Sequence, residues 1–567
     1  MTVRRRLLVI GGVLLTTWAP IAYVTGGFTV HPMGIRFSAR GAWRPAMLAL
    51  AAFGVHAVVY GRRELDEDID WLIGATRALL VPTVAAAAVA SFVFATVYGT
   101  FVAGGADPYG YVSQADLWLR GSLRVEQPFV ATIPWPFADW TFTPIGYRPA
   151  LTGHAFVPIY APGLPLLMAL FTLIAGSQGP YYVVPVSCAL SVWVCYRLGT
   201  RMASPLVGAV AAILLAASPV FLYQSLWPMS DIPVTLFWML ALLLVADATP
   251  RLAIAAGLCA AVAATIRPNL APAAAIPLVY LWWTGRPWRP YAVALVPGVL
   301  LIAIVNKMLY GAVVSAGYGA LETLYSRANL MANVTRYGSW LVMTQTPLVA
   351  AALLSLVRRP PPNAYTRMVS VFACTVVVAY LFYAPFDVWW YLRFLIPALP
   401  IVLILMCDGS VWMLGFLPRA AQIAVFVTGL TLLLNHYLVF ISGQHVTTFR
   451  QGEHRYMEAA QYIAASTPPN AVVFAMQHSG SVRYYANRLT LRYDWLDPPW
   501  LDRAIDTLRA QGYRPYILLE EWEESDFTQR FGAANVAGRL SWPPIARFGQ
   551  SIHVRLYEMP APPPPAR

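Results

Sequence analysis

Long apolar runs alternate with short polar connectors over the first three-quarters of the chain. Each run is long enough, or nearly so, to cross the ~30 Å hydrocarbon core of a bilayer as a helix. The pattern predicts a polytopic α-helical membrane protein with about thirteen spans. The predicted spans cover residues 7–25, 45–60, 78–102, 181–196, 205–226, 232–248, 252–266, 270–285, 290–310, 339–357, 366–384, 394–415 and 421–441.

Two polar stretches interrupt this pattern and divide the chain. A Pro- and Trp-rich loop, residues 103–180, separates the N-terminal spans of 1–102 from the transmembrane bundle of 181–441. After the last span, helix-like and strand-like patterns alternate, which predicts a small α/β domain over 442–559. The final residues, 560–567, are Pro-rich and predicted to be disordered.

Composition and charge exclude an ordinary soluble globule. The chain is 58% hydrophobic and only 11% charged, with a mean hydropathy of +0.58, whereas soluble domains carry about a quarter charged residues. The net charge of +13 is almost wholly arginine, since Lys307 is the single lysine. In a membrane protein this excess suits anionic headgroups and phosphates rather than nucleic acid. The five cysteines fall in predicted spans with no metal-ligand or disulfide spacing.

Arginine in the short connectors sets the predicted orientation. With the N-terminus inside, the cytoplasmic connectors hold fifteen arginines and the short external ones seven, in agreement with the positive-inside rule. The loop 103–180 and the C-terminal domain are therefore predicted to be extracytoplasmic, in a multi-pass protein of the plasma (inner) membrane. Arg4–Arg6 before an apolar run predict an uncleaved anchor, and 160–176 is predicted to be a surface helix.

Asp107 opens a predicted helix just after Gly104 and Gly105, at the start of the long loop. At 100° per residue, three later side chains share its face: Tyr111, Gln114 and Trp118. Asp116 points the opposite way. The alternative for Asp107 is a helix N-cap, since Asp before a Pro at the first helical position is well suited to that role.

Asp231 lies in the tight external turn between the spans 205–226 and 232–248. Its position at the outer mouth of the bundle would let it share a site with Asp107, although a helix cap by Ser230 or Asp231 is the alternative.

Two arginines interrupt apolar sequence near the predicted outer face. Arg267 breaks the stretch 252–283, and Arg393 begins a late span behind an aromatic belt that includes Tyr391. Arginine within a membrane segment is costly and usually faces the interior with a partner, for which a lipid-linked phosphate is fitting. The alternatives are snorkelling to the interface or, for Arg393, pairing with Asp387.

The most charged run of the chain is 62–70, which holds five acidic residues. It lies on the predicted cytoplasmic side, far from the long loop, so it is predicted to be a solvated connector rather than a metal site. The histidines, His56 among them, are isolated in sequence and receive no role.

Taken in order, these motifs resemble the GT-C superfamily of polyprenyl-phosphate-sugar-dependent membrane glycosyltransferases. The most similar groups are the protein O-mannosyltransferase-like, aminoarabinose transferase-like and rhizobial galacturonosyltransferase-like bacterial members. The resemblance covers about residues 100–410. It is carried by these motifs: Asp107-x3-Tyr111-x3-Ala115, Gly146–Arg148, Tyr160–Pro165, Ser230–Pro233, Arg267-Pro268 and Tyr391–Pro400.

The resemblance implies an inverting glycosyltransferase that moves a sugar from a polyprenyl-phosphate carrier to a cell-envelope lipid, glycan or protein. It implies that Asp107 is the catalytic carboxylate, Asp231 an accessory acid, and Arg267 and Arg393 contacts to the carrier phosphate. Tyr111, Gln114 and Tyr391 complete the expected binding set. No metal ligand set is expected, although relatives often have Asp-Glu where this chain has Asp107-Pro108, which leaves a divalent ion open. The alternative function is a non-enzymatic transporter or flippase, against which stands the missing inverted repeat.

Overall fold

The computed structural model describes residues 2–27, 29–30, 37–38, 41–319 and 321–560. The predicted disordered tail lies outside the described residues except for Pro560, and so do Arg36 and Arg40 of the external arginines. The described chain is mostly helical.

Three long helices form the N-terminal part, in which α1 and α2 pack side by side and α3 continues toward the long loop. A two-residue antiparallel ladder joins β1 and β2 between the first two helices. The bounds are α1 Thr2–Thr25, β1 Thr29–Val30, β2 Phe37–Ser38, α2 Trp43–Tyr60 and α3 Arg62–Val97.

The long loop is folded rather than extended. Residues 103–162 of this loop contain two α-helices, a 3₁₀ turn and a three-stranded antiparallel sheet of order β3-β5-β4. The bounds are α4 Asp107–Leu119, β3 Val125–Glu126, α5 Ala138–Thr141, β4 Tyr147–Pro149 and β5 Ala155–Pro158.

From residue 163 to residue 443, the described part of the chain forms fourteen α-helices, of which the first two fold back on each other. Gly179, at the start of α7, lies so close to the Phe171 carbonyl that a Cβ there would be 2.2 Å from its oxygen. The bounds are α6 Gly163–Ala175, α7 Gly179–Met202, α8 Pro205–Ala217, α9 Pro219–Gln224, α10 Asp231–Val245, α11 Pro250–Ile266, α12 Ala275–Trp283, α13 Trp288–Tyr310, α14 Leu321–Leu324, α15 Leu330–Gln345, α16 Ala351–Val357, α17 Ala364–Leu381, α18 Leu399–Leu414 and α19 Arg419–Gly443.

Several helices are long and apolar enough to cross a membrane. Within the described residues there are seven by length and composition, or nine if two sharply bent pairs each count as one span. Three further apolar helices, α8, α10 and α11, are shorter. The chain is thus a multi-pass helical membrane protein, while the count of thirteen stays a prediction. A proline explains part of the difference. Helix α8 ends at Ala217 and α9 begins at Pro219, so the predicted span 205–226 is divided between two helices.

The C-terminal segment, residues 449–560, contains a five-stranded sheet of order β7-β6-β8-β10-β9. Strand β6 runs parallel to β7 and β8, and β10 is antiparallel to β8 and β9. The bounds are α20 Phe449–Glu453, α21 Arg455–Ser466, β6 Ala471–Phe474, α22 Ser479–Ser481, β7 Leu489–Leu491, α23 Leu501–Ala510, β8 Arg514–Glu520, α24 Glu521–Phe531, β9 Ala546–Phe548 and β10 Val554–Glu558.

This sheet shares its core with the long loop. On one face, Phe474 and Leu519 pack in one buried cluster with Val130, Trp135 and Phe142 of the loop. On the other face, α21 contributes Ala460 and Ile463 to a separate cluster. The predicted boundary at 442 stays a prediction, but the loop and the C-terminal segment are packed together. That packing places the sheet beside the start of α4.

The acidic run 62–70 is solvated, as expected, at Asp66, Glu67 and Asp70, but not at Asp68. The run forms the first turns of α3, and Asp68 is only 1% exposed. One Asp68 oxygen lies 3.0 Å from His56 Nε2, and Arg5 Nη2 donates to the other at 3.0 Å. The packing of α1 and α2 against α3 buries the carboxylate, which no pattern within the run itself indicates.

The Asp68 contacts predict a structural role with a measurable cost. Asp68→Asn leaves Arg5 and His56 without their charged partner, and the loss of such a buried charged hydrogen bond costs about 1–3 kcal/mol. We expect a lower melting temperature in detergent, whereas Asp66→Asn, which changes an exposed carboxylate two residues earlier, should melt like the wild type. Equal melting of both variants would contradict this assignment.

Candidate active site

Asp107 begins α4 but does not cap it. The residue at the N-cap position is Ala106, and no side chain within hydrogen-bonding distance caps the helix. Instead Asp107 Oδ1 accepts a hydrogen bond from the Tyr160 hydroxyl at 2.8 Å, and Asp107 Oδ2 accepts one from Arg393 Nη2 at 3.1 Å. The carboxylate is therefore directed toward other elements rather than toward its own helix.

Asp231 likewise begins its helix, α10, without capping it. Its helix also has no side-chain cap, and Asp231 Oδ1 lies 2.5 Å from Arg267 Nη2. A weaker approach of 4.0 Å joins the same oxygen to Arg393 Nε. Neither carboxylate serves as the helix cap that the sequence left open.

Arg267 lies where α11 ends before Pro268, and its side chain turns inward. It is 8% exposed. Besides Asp231, it reaches Ser230, whose Oγ accepts a hydrogen bond from Arg267 Nε at 3.2 Å. The buried position rules out a snorkelling side chain.

Arg393 joins the two acidic groups. It lies in a 3₁₀ turn, Trp389–Leu395, ahead of α18, and its guanidinium contacts Asp107 on one side and approaches Asp231 on the other. The other partner considered, Asp387, instead pairs with Arg336. Two acids and two guanidinium groups, up to 286 residues apart in the chain, thus form one cluster.

The two carboxylates differ in accessibility. The Asp107 side chain is 30% exposed, whereas that of Asp231 is 1% exposed. Asp107 is therefore accessible to solvent, whereas Asp231 is not. The geometry suits Asp231 to hold the two guanidinium groups in place, since an ionised group this buried needs a charged partner.

Part of the cluster's hydrogen-bonding capacity is unused. Among the described residues, Arg267 Nη1, Arg393 Nε and Asp231 Oδ2 are buried without a hydrogen-bond partner. Buried polar groups are nearly always satisfied, so these atoms indicate a place for a polar ligand. Two guanidinium donors side by side suit a phosphate.

Two tyrosines surround the acids. Burial, with the nearby Asp107 carboxylate, raises the pKa of both Tyr160 and Tyr111 well above the usual value of a phenol. Both hydroxyls therefore stay protonated and act as donors, Tyr160 to Asp107 and Tyr111 to Ser230 Oγ at 3.3 Å.

The remaining predicted residues lie close by with indirect contacts. Gln114 is fully buried, and its Nε2 donates to the Tyr160 carbonyl at 3.3 Å, so it supports Tyr160 rather than the carboxylates. The Arg393 guanidinium carbon lies 5.6 Å from the centre of the Tyr391 ring.

The sequence indicated no role for Tyr160 and only a possible helix cap for Ser230. Tyr160 stood in the segment Tyr160–Pro165 and Ser230 beside Asp231, but only as parts of motifs. Their contacts bridge distant segments, so no local spacing revealed them. Within the described part of the chain, no group of three or more His, Cys, Asp or Glu side chains is placed to hold a metal ion.

Comparison with known proteins places part of the chain in a described family. Residues 158–310 match the family model described as dolichyl-phosphate-mannose-protein mannosyltransferase, a stretch that includes Asp231 and Arg267 but not Asp107 or Arg393. No curated protein matches the chain.

Among solved structures, the chain is similar to ArnT from Cupriavidus metallidurans bound to undecaprenyl phosphate. The identity is 13%, the match covers 85% of this chain and 98% of that one, and the TM-score is 0.53. The apo state of the same protein matches at 14% identity with the same coverage and a TM-score of 0.52. At these identities the likeness is one of fold.

Proposed function

We propose that this chain, a GT-C membrane glycosyltransferase, transfers a sugar from a polyprenyl-phosphate carrier to an acceptor hydroxyl on the extracytoplasmic side. The superfamily predicted from the ordered motifs is confirmed by the family-model match and the shared fold. The acceptor belongs to the cell envelope, as a lipid, a glycan or a protein. The observation that carries the proposal is the cluster of Asp107, Asp231, Arg267 and Arg393.

In the proposed reaction, the acceptor oxygen forms a bond to the anomeric carbon while the bond from that carbon to the carrier phosphate oxygen breaks. Asp107, the accessible carboxylate, takes the proton of the acceptor hydroxyl. Tyr160 and Arg393 each engage one of its oxygens and so fix its orientation. Attack from the side opposite the phosphate inverts the anomeric configuration.

The departing carrier phosphate is a stable anion and needs fixed positive charge rather than a strong acid. Arg267 and Arg393 supply that charge, and Asp231 holds both guanidinium groups in place.

The proposed location follows the arginine bias. The cluster, the long loop and the C-terminal segment then face the extracytoplasmic side of the plasma (inner) membrane. Protease added to intact spheroplasts should cleave the C-terminal segment and spare the connectors between the bundle helices on the inner side.

The test uses membranes that contain the protein and a panel of undecaprenyl-phosphate-linked hexoses and pentoses labelled in the sugar. We expect one donor to lose its label to an envelope acceptor with equimolar release of undecaprenyl phosphate. The flippase alternative predicts that intact donor crosses sealed vesicles with no release of free carrier phosphate, and that outcome would overturn the proposal.

A further inference from the structure

The C-terminal segment contacts the backbone immediately before Asp107. The Ala103 amide donates a hydrogen bond to the Tyr485 hydroxyl at 2.8 Å. At Gly104, an added Cβ would lie 2.3 Å from the Tyr456 ring, so the ring occupies the space that any side chain there would need. Gly105 has a φ of +57°, and its Cβ position is 3.5 Å from the Tyr456 hydroxyl. The two glycines thus form a concave surface that Tyr456 fills.

Neighbouring side chains of the C-terminal segment hold Tyr456 in place. Its side chain is buried, and its ring packs against His478 with 4.5 Å between ring centres. Arg455 Nη2 donates to the Tyr456 hydroxyl at 3.0 Å. Arg455 is held by two buried carboxylates, Glu453 and Glu520, each at 2.7 Å. Such a network of buried charges holds one geometry because breaking any member leaves another unpaired.

The C-terminal segment also contacts the chain after Asp107. A Cβ at Gly480 would lie 2.2 Å from the Tyr109 ring, so the helix α22 rests directly on that ring. Contacts of the C-terminal segment therefore fall on both sides of Asp107, at residues 103–105 and at residue 109. Three residues of the C-terminal segment make these contacts and together form a clamp on the start of α4: Tyr456, Gly480 and Tyr485.

We propose that Tyr456 is a positioning residue for Asp107 and that the clamp is what the C-terminal segment contributes to the reaction. The inference rests on the proposed function of Asp107. Asp107 lies two residues after Gly105, in the first turn of α4, where the helix has no side-chain cap of its own. The clamp fixes where this turn begins and so fixes the carboxylate relative to Arg393. A displacement of about 1 Å in such a group can cost about 10²-fold in rate.

The first measurement is a comparison of Tyr456→Ala with the wild type, using the full-length protein and the donor that the panel identifies. We expect kcat to fall at least tenfold, while the Kd for undecaprenyl phosphate stays within twofold, because Tyr456 touches neither arginine of the site. The matched control is Tyr462→Ala, which removes a half-exposed ring from the same helix, where it packs against Phe548. The control should keep the wild-type kcat.

The second measurement is a double-mutant cycle with Gly104. Gly104 lies outside the left-handed region of backbone conformation, and the three atoms nearest to a Cβ added there all belong to the Tyr456 ring. Gly104→Ala therefore places its methyl group against that ring. We expect Gly104→Ala to lower kcat strongly in the wild type and to have little further effect in the Tyr456→Ala background. Additive effects would contradict direct contact as the cause.

A third measurement does not depend on activity. Amide hydrogen exchange of residues 103–111 should be faster in Tyr456→Ala than in the wild type or Tyr462→Ala. If exchange is faster in Tyr456→Ala but the wild-type protein turns over no donor, the clamp is supported and the proposed transferase activity is contradicted. Unchanged exchange together with an unchanged kcat would overturn the clamp and leave the proposed function standing.

Discussion

Asp107→Asn lowers kcat for sugar transfer by about 10²–10⁴-fold, the range expected when a general base is removed. The amide keeps the shape of the carboxylate and can still accept the Tyr160 hydrogen bond, but it cannot take the acceptor proton. Binding of undecaprenyl phosphate should change little, because Arg267 and Asp231 remain. The measurement is turnover of the labelled donor in purified protein, with binding measured separately.

The control for this result is on the same helix. Asp116→Asn makes the same change at a half-buried carboxylate that interacts with Tyr484, away from the cluster. We expect its kcat to stay within about threefold of wild type, because Asp116 lies away from the cluster. Normal turnover by Asp107→Asn would contradict the assignment of Asp107 as the general base.

Arg393→Gln weakens binding of undecaprenyl phosphate by about 10–100-fold, since a hydrogen bond to a charged group contributes about 1.5–3 kcal/mol. It also lowers kcat, because Asp107 loses the guanidinium that orients it. Arg393→Lys restores the charge but not the two-sided contact, so an intermediate affinity is expected.

Arg336→Gln is the matched control for Arg393. Arg336 pairs with Asp387, whose side chain is 83% exposed, and neither residue touches the cluster. The affinity for undecaprenyl phosphate should stay near that of the wild type. If Arg336→Gln and Arg393→Gln weakened binding equally, the loss would reflect overall charge rather than a phosphate contact.

The positions of the four charged groups could be predicted from sequence because each lies at a break in an apolar run. Asp107 follows a diglycine, Asp231 stands in a tight turn, and Arg267 precedes a proline. The positive-inside bias put these breaks on one side of the membrane, so their convergence was a reasonable expectation. Helix starts at Asp107 and Asp231 followed from the same local signals.

The pairing of these groups could not be predicted, because it is set by packing between distant helices. Nothing near Arg393 indicates that it contacts Asp107 rather than Asp387, which is six residues away. Tyr160, Ser230 and the clamp residue Tyr456 were missed for the same reason. Asp68 shows the converse error, since this one carboxylate of a mostly exposed charged run is buried by the packing of α1 and α2 against α3.

The most direct test is a density map of the protein with undecaprenyl phosphate bound. We predict that the phosphate lies between the two guanidinium groups, with its oxygens about 2.7–2.9 Å from Arg267 Nη1 and from an Arg393 nitrogen. A phosphate bound elsewhere, with both guanidinium groups still occupied only by the two carboxylates, would contradict the carrier site on which the reaction depends.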